Sequence, residues 1–152
     1  MAAETMPARR RDPVIQFSVF TSNRLGRLRD LIDLFSSGSV HVLGITVLDT
    51  TDSAIIRLVV DDPDKARDLL LTNEFPCTET ELLVVQLDLI RGLNQMMSAL
   101  LEAELNVNYL YSFIPQPQGK SIVGLSMEDN EVAEQALIRH GFQVLRQSDL
   151  SR

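Results

Sequence analysis

Cysteine occurs once in the 152 residues, at Cys77, and tryptophan not at all. A single cysteine excludes an internal disulfide and any multi-cysteine metal site. Within "EFPCTE" it reads as a small strand residue. Aromatic residues make up only 5% of the chain, so a core has to be mostly aliphatic. Positive charge is short as well: 14 Lys and Arg stand against 21 Asp and Glu, a formal net charge of −7. That balance argues against a nucleic-acid-binding surface, which uses a basic stripe. The run Arg9-Arg10-Arg11 lies in a polar tail, residues 1–13, that reads as a solvated terminus. No stretch reaches the roughly 20 apolar residues of a membrane helix, and the first residues lack the apolar segment of a signal peptide. A cytoplasmic protein with neither membrane nor nucleic acid as partner is expected. Hydrophobic residues reach 45%, enough for a packed core.

What is present is a pattern used twice. "VIQFSVF" puts Ile15, Phe17 and Val19 on one face of a strand, and Leu28, Leu31, Ile32 and Phe35 then recur at the spacing of a helix stripe. Gly38 suits the end of that helix. A long strand from Val40 to Leu48, the turn "TDS" and the strand "AIIRLVV" follow, with Ala54, Ile56, Leu58 and Val60 on one side. Asp62 can cap a second helix with Pro63 at its first position, and "FPCTE" returns as a strand. The order is βαββαβ. From "ELLVVQLD" onward the order repeats: Leu93, Met96, Met97 and Leu100 stand 65 residues after Leu28, Leu31, Ile32 and Phe35, and Ala133, Leu137 and Phe142 stand 67 after Ala66, Leu70 and Phe75. This is a duplication. We expect an α+β protein of two tandem ferredoxin-like βαββαβ modules, residues 14–80 and 81–148, each an antiparallel sheet with both helices on one face. The other face of each sheet is too apolar for solvent. Pairing between the halves, or between chains, would bury it, and a homodimer is expected.

The plan hosts many functions, so the site has to decide. RNA binding would need aromatics on the central strands and a basic face. A metallochaperone would need a Cys-x-x-Cys pair in the first loop. A phosphate-acting enzyme would need a glycine-dense loop with a positioned Arg and Asn; "SNRLGRL" has Asn, Arg and one Gly, so this stays a third reading, with no second motif behind it. No nucleophile elbow, phosphate-binding loop or His-x-x-x-His is present. His41 falls inside a strand, His140 at a helix end beside Gly141, and the aspartates fall at turns and helix starts, where capping accounts for them. No catalytic residue, metal site or cofactor is expected. Met96 and Met97 read as packing residues.

The strand followed by "NRLGRL", a helix and "VHVLGITV" resembles the ACT domain, a regulatory module that binds small molecules. The family's first loop reads Asn/Asp-x-Pro-Gly-x-Leu. Asn23, Gly26 and Leu28 match it, and Leu25 stands where proline is usual. The resemblance spans Val14 to Gln147. "IRLVVDDPDKARDLL" and "LNVNYLYSF" are similar to stand-alone proteins made of two ACT domains with no enzyme attached. A glycine before a helix lets a ligand approach the backbone, and the helix start offers unpaired N–H groups to a carboxylate. Asn23 can serve both poles of a free amino acid. The resemblance implies a pocket completed by the second strand of a neighbouring module, where the polar position is His41, or Asn106 in the second half. Candidate ligand-binding residues are therefore Asn23, Arg24, Leu25, Gly26, Leu28 and His41. His41 reads equally as an interface residue with no ligand, and Arg24 as a solvated one, while Arg27 starts the helix. The second loop, "DLIRGL", keeps Asp88 and Leu93 but has Ile90 at the proline position and Arg91 at the glycine position, with Gly92 one residue late. Asp88, Ile90, Arg91, Gly92 and Asn106 form a second candidate site, which takes a different ligand or only supports the first. Two functions follow: a sensor of a free amino acid, or a ligand-free interaction module such as a detached regulatory subunit of a metabolic enzyme.

Overall fold

The computed structural model describes residues 12–22, 26–88, 92–115 and 120–151. The first module runs β1 (Val14–Ser22), α1 (Arg27–Ser37), β2 (Val42–Asp49), β3 (Ser53–Val60) and α2 (Pro63–Thr72). The strand β4 (Cys77–Leu87) follows, and then α3 (Leu93–Glu102), β5 (Val107–Ser112), β6 (Ser121–Met127), α4 (Asn130–Arg139), β7 (Gln143–Leu145) and α5 (Gln147–Leu150). The strand order is β2-β3-β1-β4-β6-β5, with β7 also paired to β4, and every pairing is antiparallel. Each half has the α+β, ferredoxin-like arrangement expected of the sequence pattern.

The helix ends follow local chemistry. Asp62 caps α2 by accepting from the Lys65 backbone N–H at 3.1 Å, with Pro63 as the first helical residue. Asp129 does the same for α4 through Val132. Gly141, at φ 83°, closes α4, whereas Ser39 rather than Gly38 takes the left-handed position after α1. Both helix-side cores are aliphatic with few aromatics. Phe17, Leu31, Phe35, Ile56 and Leu70 are among the buried residues of the first, Leu83, Met96, Leu100, Leu125 and Leu137 of the second.

Four sequence expectations need correction. "FPCTE" and "ELLVVQLD" are not two strands but one: β4 runs unbroken from Cys77 to Leu87, its first part pairing with β1 and its second with β6 and β7. The polar run Thr78–Glu81 interrupts the apolar pattern without interrupting the backbone. Next, the helix stripes are shorter than the spacing suggests. Leu28 and Leu93 are 41% and 49% exposed, and Met97 is exposed too, so it is not a core packing residue. Leu28 and Leu93 sit in the first turn of their helices, and Met97 is one residue, roughly 100° of helix, past the buried Met96. Finally, His41 stands just before β2 rather than within a strand, and the strand after Phe142 ends at Leu145 and gives way to α5.

The two open faces cover one another. The sheet curls until β2 meets the chain beyond β5: Gly44 bridges to Phe113, and the Ile114 N–H donates to the Leu43 carbonyl at 2.9 Å. Val14, Val59, Leu82, Val84, Tyr111, Phe113 and Leu145 form a third core between the faces. The expected burial of these apolar faces is thus met within one chain, between the halves. Tyr109, Tyr111 and Phe113 stack along β5 with centroids 6.5 and 6.0 Å apart, and the Arg57 guanidinium lies 4.1 Å from the Tyr109 ring centroid. Gln16, 1% exposed, is the polar member. Its Nε2 donates to Tyr109 Oη at 2.7 Å and to Thr80 Oγ1 at 3.3 Å, while Tyr111 Oη donates to its Oε1 at 2.7 Å. Burial pushes the Tyr111 phenol well above its ordinary pKa.

Candidate functional site

Of the first candidate loop, Asn23, Arg24 and Leu25 lie outside the described residues. Gly26 has φ 92° and stands at the N-cap of α1 with no side-chain cap. A Cβ placed there would meet nothing within 4 Å among the described residues. Its backbone geometry accounts for the glycine, since other residues are strained in this region. Leu28 is exposed in the same turn. Arg27 belongs to the packing: its guanidinium lies 4.4 Å from the Phe75 ring centroid and 3.7 Å from Asp30.

In the second loop Ile90 and Arg91 lie outside the described residues, and Asp88 is exposed at the end of β4. The start of α3 differs from that of α1. Gln95 Oε1 accepts from the Gly92 N–H at 3.1 Å, so the chain's own side chain serves this helix start.

His41 and Asn106 occupy equivalent places. The His41 N–H donates to Asp61 Oδ1 at 2.8 Å, His41 Nδ1 lies 2.7 Å from Asp61 Oδ2, and the Asp61 N–H returns to the His41 carbonyl at 3.1 Å. In the second module Asn106 Nδ2 donates to Glu128 Oε2 at 3.2 Å, and the Glu128 N–H donates to the Asn106 carbonyl at 3.2 Å. An ionised carboxylate only accepts hydrogen bonds. Beside an ionised Asp61, His41 Nδ1 is therefore the donor of this pair.

His41 and Gly26 are not brought together within the first module. Gly44, Val59 and Gln16 share one row of the sheet, and Ser22, next to the loop, is six residues along β1. At about 3.3 Å per residue this separates the two ends by roughly 20 Å. His41, largely exposed, borders residues of the other module instead. It lines a cleft of about 540 Å³ with Gln86, Lys120, Gln143, Asp61 and Asp149 among its polar walls. Leu43, Phe113, Ile122, Leu145 and Leu150 are among the apolar residues. Leu87 pairs with Ser121, so Asp88 and Lys120 leave the sheet side by side at this end. The chain thus places the strand start of the first module against the loop end of the second. Lys120, Asp149 and Gln86 were missed by sequence reasoning. Only α5 and the curling of the sheet bring them to His41.

His140, the helix-end histidine, serves structure. Its Nδ1 lies 2.8 Å from the Ala136 carbonyl and its Nε2 2.8 Å from Glu102 Oε2, and these two acceptors raise its pKa above the ordinary value of 6.5. Cys77 is half-buried, and burial pushes its thiol pKa up. Among the described residues no group of three or more His, Cys, Asp or Glu could hold a metal ion, and no helix is long and apolar enough to cross a membrane.

Compared with models of known families, the chain matches the ACT domain pair over residues 13–152. No curated protein matches it. Among solved structures, a protein from Bacteroides thetaiotaomicron is 22% identical, with a TM-score of 0.82, 93% of this chain and 97% of that one being covered. The ligand-free regulatory subunit of aspartate kinase from Thermus thermophilus is 13% identical, with a TM-score of 0.57 and coverage of 84% and 92%. At these identities the likeness is one of fold. The match over nearly the whole length, together with the duplicated module, places this chain in the ACT domain pair family, whose modules are regulatory and non-catalytic.

Proposed function

We propose that the protein is a non-catalytic regulator that binds a small molecule, a free amino acid, where its two modules meet. The observation that carries this reading is the inter-module cleft, which joins His41 and Asp61 of the first module to Gln86 and Lys120 of the second. A ligand between two walls favours the arrangement in which both walls are in place, and this shift of population is the regulatory output. The helix start at Gly26, with no side-chain cap among the described residues, supports a second point of approach, whose candidate residues in the sequence are Asn23, Arg24, Leu25 and Leu28. Asp88, Ile90, Arg91, Gly92 and Asn106 are the corresponding proposal in the second half, weakened by Gln95 at the helix start. The working location is the cytoplasm.

A thermal-shift screen against the proteinogenic amino acids tests the reading. A ligand at 100 times its dissociation constant stabilises the native state by about 2.7 kcal/mol. A hit supports regulation by an amino acid, and silence across the whole set refutes it.

A specific observation favours a second reading. Leu28, Leu93, Met97 and Leu101 leave apolar side chains exposed on the outer helices, and such surface suits a protein partner: a second copy in a homodimer, or a metabolic enzyme of which this chain is the detached regulatory subunit. This reading requires co-purification with a partner or a dimeric mass, and no response to amino acids.

A further inference from the structure

The short helix α5 follows β7 of the second module, yet its hydrogen bonds reach across to the first. The Gln147 N–H donates to the Asp12 carbonyl at 3.0 Å, and the Ser148 N–H to Asp12 Oδ2 at 2.8 Å. The Gln147 side chain is buried. Its Oε1 accepts from the Ile15 N–H of β1 at 3.2 Å, and its Nε2 donates to the Val60 carbonyl at the end of β3 at 3.0 Å. The Ser151 hydroxyl donates to the Asp61 carbonyl. Just ahead of α5, Arg146 pairs with Glu134 of α4, so the segment departs from a point fixed in its own module. Leu150 is the one apolar residue of α5, and it packs against the third core. The hold is therefore mostly polar and directional.

A helix of four residues has no stability of its own. It is helical only while docked, so its bonds to the first module form and break together. α5 also stands between two hollows. Asp149 and Leu150 line the inter-module cleft, while Ser148 and Ser151 line a trough of about 830 Å³ with Asp12, Asp62 and Lys65. His41 and Asp61 border both. We propose that α5 is a releasable strap: it undocks from the first module as one unit, while β4 and the third core keep the modules joined, and its release removes one wall of the inter-module cleft and merges the cleft with the trough. The Ser151 hydroxyl ties the strap to Asp61, the same residue whose carboxylate holds His41. Docking of α5 and the placing of the His41–Asp61 pair are thereby one arrangement. The inference does not depend on what the cleft binds.

The test is amide hydrogen exchange of the full chain, resolved by NMR over a series of urea concentrations below the unfolding transition. The strap amides are those of Gln147, Ser148 and Ile15, and the reference amides are those of Val84 and Val85, which lie where β4 pairs with both β6 and β7. The expected result is one shared protection factor for the three strap amides, about a hundredfold or more below the reference, with little dependence on urea because the opening exposes little surface. Ile15 is the discriminating probe, since it belongs to β1 and not to the helix. Ser151→Ala removes the bond to Asp61 without touching Ile15, and should speed exchange at Ile15 by about three- to tenfold. Strap amides that exchange only with the reference, at the same urea dependence, would overturn the proposal. So would α5 amides that exchange freely while Ile15 stays protected, or an Ile15 rate unmoved in Ser151→Ala. The cleft side is read by a thiol in Leu150→Cys, made together with Cys77→Ser. Its reaction with an aromatic disulfide reagent should be slowed by the same factor that protects the Ser148 amide in that variant. A thiol that reacts as fast as a free one, or only on unfolding, would overturn the opening of the cleft wall.

Discussion

Replacing Gln16 by leucine probes whether the two modules are joined by a specific contact or only by apolar packing. Gln16 is buried between the sheets, and its amide bonds to Tyr109, Thr80 and Tyr111. Its two 2.7 Å hydrogen bonds, each worth about 1 kcal/mol net, disappear in Gln16→Leu, and the buried Tyr111 hydroxyl keeps its dehydration cost without its acceptor, about 1–3 kcal/mol more. The apolar leucine returns part of this. The expected cost is about 2–4 kcal/mol. Tyr111→Phe alone removes the hydroxyl and strands one amide oxygen, costing about 1–2 kcal/mol. In the double variant neither group is stranded, so the two changes cost less together than in sum, with a coupling of about 1–2 kcal/mol. Urea unfolding of the four proteins, followed by circular dichroism, measures it. At this chain length 1 kcal/mol also moves the melting temperature by roughly 3 °C. Additivity within about 0.5 kcal/mol, or a Gln16→Leu protein as stable as the parent, would refute the reasoning.

Two further predictions follow from close approach and from titration. At Gly44 a Cβ would lie 2.7 Å from Phe113 Cδ1 and 2.8 Å from Cε1, so Gly44→Ala should cost about 1–3 kcal/mol by overpacking, and a variant unfolding at the parent's urea midpoint would contradict that geometry. His140 has a folded pKa raised by the Ala136 carbonyl and by Glu102. Its contribution is therefore fully present below the unfolded value of about 6.5 and lost as pH rises through the higher folded value. Stability measured from pH 6 to pH 9 should fall less steeply in His140→Gln, and identical pH profiles would dismiss the histidine as a contributor.

The duplication was legible because each half repeats helix stripes and turn residues that are local properties of the chain. Leu31 with Met96 and Phe35 with Leu100 are buried in matching places, and the caps at Asp62 and Gly141 stand where their chemistry puts them. What was not legible depends on packing between distant segments. The polar run Thr78–Glu81 looks like a break because it carries no apolar alternation. Yet its backbone pairs with β1, and only the partner strand reveals this. Four residues of α5 are too few to show a helical period. His41 could be read either as a contact across an interface or as a plain strand residue, and the second-module residues that share its cleft follow only from how the sheet curls. Lys120 and Asp149 carry no local signal at all.

The continuity of β4 has a mechanical consequence. The final strand of one module is the opening strand of the next, so no linker separates them. A cut near Thr80 would not release two small domains. It would leave each with a severed strand and expose Val14, Val59 and Leu82 of the shared inner core. A change in one module therefore reaches the other both along β4 and across the shared inner core.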